Sequence, residues 1–338
     1  MEQLYVDDAL LIADIQNDFL PGGALGVKGG DEIVPVLPVV TNIDSDHLDH
    51  HGTLANLAQA MARFLASAKR SGDELTALIG CGDDPLTRAA LGQAGSKTEL
   101  PVFDYGFDSG HAVRAVRVRV EGLGARFDVF GPFGFWEDLT LAMPGRHNVL
   151  NALAAVTVAW RLGLDERTVR EGLAGCERVG RRFEIKGVGR GVRVVDDYGH
   201  HPTEIAATLR AALDSTPGRV AILFQPHRYT RTRLLMDEFA RCFAESHAAA
   251  VFLLPVYAAS EREIEGASHE ELAARIRRLG FSQVEVFSDR HEAVERLSAW
   301  AQSGDTVLVQ GAGDVTKAAD ELLARLNRGL LSLLRDGL

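Results

Sequence analysis

Beyond Gly191 the chain repeats one pattern five times: a short apolar run, then a stretch with apolar residues at helical spacing. The pairs are Val192 to Asp196 with Thr203 to Leu213, Val220 to Phe224 with Thr232 to Phe243, Ala250 to Leu254 with His269 to Leu279, Val284 to Phe287 with His291 to Ala301, and Asp305 to Val309 with a helix from Thr316 onward. Runs that are apolar on both faces must be buried on both faces, and a parallel sheet covered by helices on each side does that. Ligands of such sheets sit at the C-terminal ends of the strands. The polar residues collect there: Asp196 and Asp197, Gln225 to Arg231, and Gly311 to Asp314.

The part before Gly191 is less regular. Ala9 to Asp14 and Val39 to Ile43 read as buried strands, and Gln16 to Gly23 as a turn-rich loop. Leu54 to Lys69 has helical spacing, Glu74 to Ile79 reads as a strand, and Asn148 to Leu162 as an apolar helix. Val113 to Val120 alternates with Arg114, Arg117 and Arg119, which predicts an antiparallel strand with one wet face. Length allows two or three domains. A formal charge of -11 argues against general nucleic-acid binding. No apolar run has membrane-spanning length. Cys81, Cys176 and Cys242 lack metal-ligand spacing and read as reduced thiols of a cytoplasmic protein.

Several strings carry candidate chemistry. Thr41 to Asp49 packs carboxylates and His47 into a few residues, a donor set for Mg²⁺ or Mn²⁺ or else an acidic helix start. Asn148 and Asn151 share the face of a helix N-terminus and either read a base edge or cap the helix. Arg181 and Arg182 suit polyphosphate, or form a solvated pair. Asp196-Asp-Tyr-Gly-His-His-Pro-Thr-Glu204 is a denser polar cluster than structure alone calls for. Arg228 and Arg231, beside His227, make an anion clamp. Gly311-Ala-Gly-Asp314 is either a phosphate turn or a close strand-to-helix packing.

Taken together, TNIDSDHLDHHG, MPGRHNVLNALAA, GRRFEIKG, DDYGHHPTEIAATL, FQPHRYTRTR and GAGD resemble, in order, the Mur ligases of peptidoglycan synthesis; DDYGHHPTE and QPHRYTRT point to the alanine-adding branch. The resemblance implies an α/β fold: an incomplete Mur-ligase central domain over 39–183, then a Rossmann-like C-terminal ligase domain over 184–338. It implies ATP-dependent ligation of L-alanine to UDP-N-acetylmuramate through an acyl phosphate, with ATP and Mg²⁺ as cofactors. The implied roles are His47 as metal ligand; Asn148 and Asn151 against the adenine; Arg182 on the ATP phosphates; Asp197 on the ribose or the attacking geometry; and Tyr198, His227, Arg228 and Arg231 as the alanine and phosphate pocket. Asp197, His200 and Arg228 are the implied catalytic residues.

Two departures stand out. No UDP-sugar domain and no glycine-rich loop ending in Gly-Lys-Thr precede Val39, and Gly95-Ser-Lys-Thr98 follows a helix and lacks the upstream glycine of such a loop. The expectation is ligase activity far below that of a complete enzyme, or a non-catalytic remnant that binds nucleotide or alanine. Residues 1–38 instead contain ALLIADIQNDFLPGGALGVKGGDEIVPVL, which resembles the start of nicotinamidase-like amidohydrolases, with Asp14 at the catalytic acid. That family's later lysine, histidines and cysteine have no counterpart here.

Overall fold

The structure is a computed structural model that describes residues 37–45, 48–68, 76–176 and 180–336. The segment with Asp14, the strand expected from Ala9 to Asp14, and His47 lie outside the described residues. The chain divides into two compact units, the first ending at Asp104 and the second starting at Tyr105.

In the first unit β1 (Val39–Val40) lies parallel to β2 (Leu78–Cys81), with Val39 opposite Ile79. Around them stand α1 (Leu48–His51), α2 (Leu54–Ala66) and α3 (Pro85–Thr98). Leu57, Leu65, Leu78, Leu91 and Ala94 form their core. The strand expected to reach Ile43 stops at Val40, because the Ile43 amide donates to Asp84 Oδ2 (3.3 Å) instead of to a ladder. The same carboxylate caps α3 through the Thr87 amide (2.7 Å), with Pro85 in the first turn. Gly95 to Thr98 is the last turn of α3, where Ser96 and Thr98 bond back to the carbonyls of Gly92 and Ala94. A helix C-terminus presents carbonyls and a partial negative charge, the wrong end for a phosphate.

β3 (Val102–Gly106) crosses the division, and its last residues open the second unit. Tyr105 and Gly106 pair parallel with the start of β4 (Val113–Glu121). β5 (Gly124–Gly131) and β6 (Gly134–Leu141) complete an antiparallel meander. Strict alternation would put Val113, Ala115, Arg117 and Arg119 on one face, yet Val113 and Ala115 are buried and Arg117 and Arg119 exposed, because the β4–β5 register shifts between Val116 and Arg119. α4 (Arg146–Arg161) buries Val149, Leu153 and Val156, and α5 (Glu166–Ala174) is tied to β6 by Arg170, which donates to the carbonyls of Glu137 and Asp138.

The rest of the second unit is the doubly wound sheet. Its strands are β7 (Glu184–Gly189), β8 (Val192–Asp197), β9 (Val220–Phe224), β10 (Ala250–Leu253), β11 (Val284–Val286) and β12 (Thr306–Gln310). They lie in the order β11-β10-β9-β12-β8-β7, all parallel except β7. α6 (Pro202–Ser215), α8 (Met236–Ala244) and α9 (His269–Arg278) pack on one face through Ile205, Leu209, Phe239, Phe243 and Ile276. α10 (Arg290–Trp300) and α11 (Thr316–Asp336) pack on the other through Val294, Leu297, Ala318 and Leu322. The helix expected over 232–243 is two, because α7 (Tyr229–Leu234) ends where Leu235 leaves helical geometry and turns into the core. β12, last in sequence, fills the place between β8 and β9, so the polar ends of these three strands meet at one edge.

Candidate functional site

At the end of β8, Asp196 and Asp197 are both buried, and they are held differently. Asp197 is saturated. Oδ2 accepts from the Phe183 amide (2.9 Å), and Oδ1 accepts from the Gly199 amide (2.8 Å), Gln310 Nε2 (2.9 Å) and the Thr208 hydroxyl (3.3 Å). Burial pushes its carboxyl above the usual range, and the Phe183 and Gly199 amides oppose that shift. The carboxylate therefore pins β8, β12, α6 and the turn at Gly199 to one point. A Cβ at Gly199 would stand 2.4 Å from Gln310 Nε2, so only glycine lets the turn approach so closely. Asp196 accepts from the Thr316 hydroxyl (2.6 Å) and lies 3.5 Å from Arg181 Nε.

The turn projects Tyr198 and His200 outward from β8. His201 caps α6 by accepting from the Thr203 amide, and Glu204 returns to the amides of His200 and His201, a reciprocal capping box. From there a row of rings and guanidiniums runs along the strand ends. Arg181 and Arg182 stand 4.9 Å and 5.7 Å from the Tyr198 ring. The Tyr198 and His200 rings are 5.5 Å apart edge-on, His200 and His227 5.8 Å apart, and His227 stacks on Tyr257 at 5.5 Å. Arg231 Nη1 lies 3.3 Å from His227 Nδ1. Burial pulls His227 down to about 4, aided by Arg231, His200 and Arg228, so its imidazole is neutral at pH 7.

Arg228 begins α7 with φ 68°, a left-handed value costly for a side-chain-bearing residue. Its amide donates to the Tyr257 carbonyl (2.8 Å) and its Nε to Glu261 Oε1 (2.7 Å). Glu261 also accepts from the Thr230 amide and hydroxyl. Burial alone would raise its carboxyl; these donors hold it below the usual range. Glu261 and Tyr257 belong to the site although the sequence did not single them out. The only available signal was the acidic string after the Ala250 run, which reads equally well as a solvated loop.

The strings placed before Gly191 reach the same unit at α4. Asn148 Nδ2 donates to the Pro144 carbonyl (2.7 Å), and Asn151 is exposed one turn further on, with its Nδ2 3.5 Å from Asn148 Oδ1. Burial lowers His147, and the Arg182 charge adds to the effect. Arg182 is half exposed, and its ion pair with Glu204 is long, at 3.9 Å. Gly311 and Gly313 pack against Gln225 and Tyr257, so the glycines of the Gly311–Asp314 turn serve close packing. In all, Asn148, Asn151, Arg182, Asp197, Tyr198, His200, His227, Arg228 and Arg231 fall in one unit, and the last six form one connected edge. The donor set, three guanidiniums beside a neutral histidine and amide groups, suits a polyanion with an organic base. Among the described residues no helix is long and apolar enough to cross a membrane.

Comparison with known proteins bears on this edge. Residues 24–159 match the Mur ligase middle domain and residues 181–313 the Mur ligase, glutamate ligase domain. The first of these matches starts upstream of Val39. The chain is 40% identical over 294 residues to a UDP-N-acetylmuramate–L-alanine ligase of Agrobacterium fabrum, covering 85% of this chain and 60% of that protein. It is 40% identical over 295 residues to the enzyme of that name from Solibacter usitatus, covering 87% and 60%. The chain thus spans about 60% of the length of these relatives. Among solved structures, the UDP-N-acetylmuramate-alanine ligase of Thermotoga maritima shares the fold with a TM-score of 0.68 and 23% identity, over 89% of this chain and 62% of that one. MurF of Acinetobacter baumannii does so with a TM-score of 0.71 and 18% identity, over 87% and 61%.

Proposed function

The chain carries the middle and C-terminal domains of the Mur ligases, and from that premise we propose that it serves the ATP-dependent joining of L-alanine to UDP-N-acetylmuramate in the cytoplasm. The observation that carries this reading is the connected edge from Tyr198 to Arg231, built from the same strings that resemble the alanine-adding branch. We assign 39–183 to the central and 184–338 to the C-terminal ligase domain, with 1–38 as a separate nicotinamidase-like segment.

ATP supplies the phosphoryl group that turns the muramoyl carboxylate into an acyl phosphate, releasing ADP; the amine of L-alanine then attacks the acyl carbon, forming the amide and expelling inorganic phosphate. Arg182 is assigned to the nucleotide phosphates, and Asn148 and Asn151 to its base. Arg228 and Arg231 neutralise charge on the transferred phosphoryl group. The Glu261 pair aims Arg228, and His227 beside Arg231 is neutral, so it adds no further cation to the two guanidiniums. Tyr198 and His200 line the approach of that amine. Asp197 acts by holding their turn, since both its oxygens are engaged inside the protein. The Mg²⁺ role is assigned to His47.

Hydrogen exchange tests the assignment. Mg·ATP, UDP-N-acetylmuramate and L-alanine together are expected to slow exchange in 225–231 and 257–261, and Arg228→Ala is expected to remove the effect. Protection elsewhere only, or protection unchanged in the variant, would sink it.

A further inference from the structure

The first three residues of the turn Gly311-Ala312-Gly313-Asp314 have no polar side chain, so over them only main-chain atoms are available to accept a hydrogen bond. One side chain does so from across the sheet edge. Arg181 Nη2 donates to the Gly311 carbonyl (2.5 Å) and lies 3.3 Å from that of Gly313. The same guanidinium stands under the Tyr198 ring and 3.5 Å from Asp196 Oδ2. Asp196 is fully buried, and its Oδ1 has no hydrogen-bond partner among the described residues, so Arg181 is the main cation that offsets its charge, with Lys186 adding to it. The backbone is shaped to deliver this contact: Arg181 has φ 58° and Phe183 φ 48°, the Arg181 carbonyl accepts from the Tyr198 amide (2.7 Å), and its amide donates to Glu184 Oε2 (2.8 Å). Left-handed geometry at two residues so close together, neither of them glycine, is retained only where the surroundings enforce it.

We propose that Arg181 is a positioning residue for the ligation site: it fixes the Gly311–Asp314 turn and the Tyr198 ring relative to each other without itself touching a ligand. The inference rests on the function proposed above. The requirement is for a guanidinium. A planar fork reaches two carbonyls, a carboxylate and a ring face at once, whereas an ammonium offers one compact charge.

The test uses the full chain with Arg181→Lys, Arg181→Ala and, as a control, Arg193→Ala, whose guanidinium donates to the Ser215 carbonyl. Exchange of the 311–315 amides is expected to rise about tenfold or more in both Arg181 variants, with 306–310 in β12 unchanged. Inorganic phosphate, followed at the His227 imidazole resonance, is expected to bind about tenfold more weakly to both variants, and dilute guanidinium is expected to restore part of its affinity for Arg181→Ala. Full retention by Arg181→Lys, or faster exchange spread over the whole sheet, would overturn the proposal. Phosphate that fails to shift His227 in the unmodified protein would instead count against the ligand site, while the exchange comparison would still decide the role of Arg181.

Discussion

His227 shows how the edge tunes one side chain. Its ordinary value near 6.5 falls to about 4, so the folded protein resists a proton that the unfolded chain accepts. The sign follows. The neutral ring costs the folded state nothing above pH 6.5, and stability is lost as pH falls from about 6.5 toward 4. Chemical denaturation across that range is expected to show a shallower loss for His227→Gln than for the unmodified protein; parallel curves would refute the depressed value. Added phosphate is expected to move the His227 titration upward, because an anion beside Arg231 favours the imidazolium. At this scale the sequence exposed the clustered residues: two acids, two histidines and spaced arginines stand out as strings. It did not expose Glu261, 33 positions from Arg228, because only the folded sheet brings the loop after β10 against α7. Nor did residue type separate Arg181 from Arg182, neighbours of which one is turned onto the Gly311 carbonyl and the other is half exposed.

Among the elements, those buried on both faces were the most legible. Val220–Phe224 has the bounds its apolar run implies, β8 and β10 differ from theirs by one residue at one end, and β12 is shifted by one residue at each end. β7 was not expected, since Glu184–Gly189 holds two glycines and no clean alternation; it pairs antiparallel at the edge, with a register shift after Ile185. The split between α7 and α8 was hidden because both halves keep helical spacing. β12 is the element on which the site depends, being bonded on both sides and leading directly into Gly311. Gly311 has φ 148°, and a Cβ there would lie 2.7 Å from the Gln225 carbonyl oxygen. Gly311→Ala is expected to cost about 1–3 kcal/mol from strain and crowding. Urea denaturation measures it; a change below about 0.5 kcal/mol would mean that the turn is not constrained as described.

For the molecule as a whole, the two large cores of the doubly wound sheet are drawn from residues 183 onward, with Leu123 at the rim of one of them as the sole earlier contributor among the described residues. A polypeptide of residues 180–338, long enough to keep Arg181 and Phe183, is therefore expected to melt in one cooperative transition; a featureless melt would show that its stability comes from elsewhere. The fold class was legible because strand and helix alternate so regularly. The central question is chemical, and one assay addresses it. The 338-residue polypeptide, at concentrations comparable to substrate, is incubated with UDP-N-acetylmuramate, Mg·ATP and isotopically labelled L-alanine, and products are followed by mass spectrometry. The account predicts the labelled amide and ADP in equal amounts, lost in Arg228→Ala. Turnover should stay well below about one per second, because no lysine-bearing glycine loop anchors the nucleotide within these residues. The absence of amide after long incubation, or ammonia released from nicotinamide and abolished by Asp14→Ala, would contradict it.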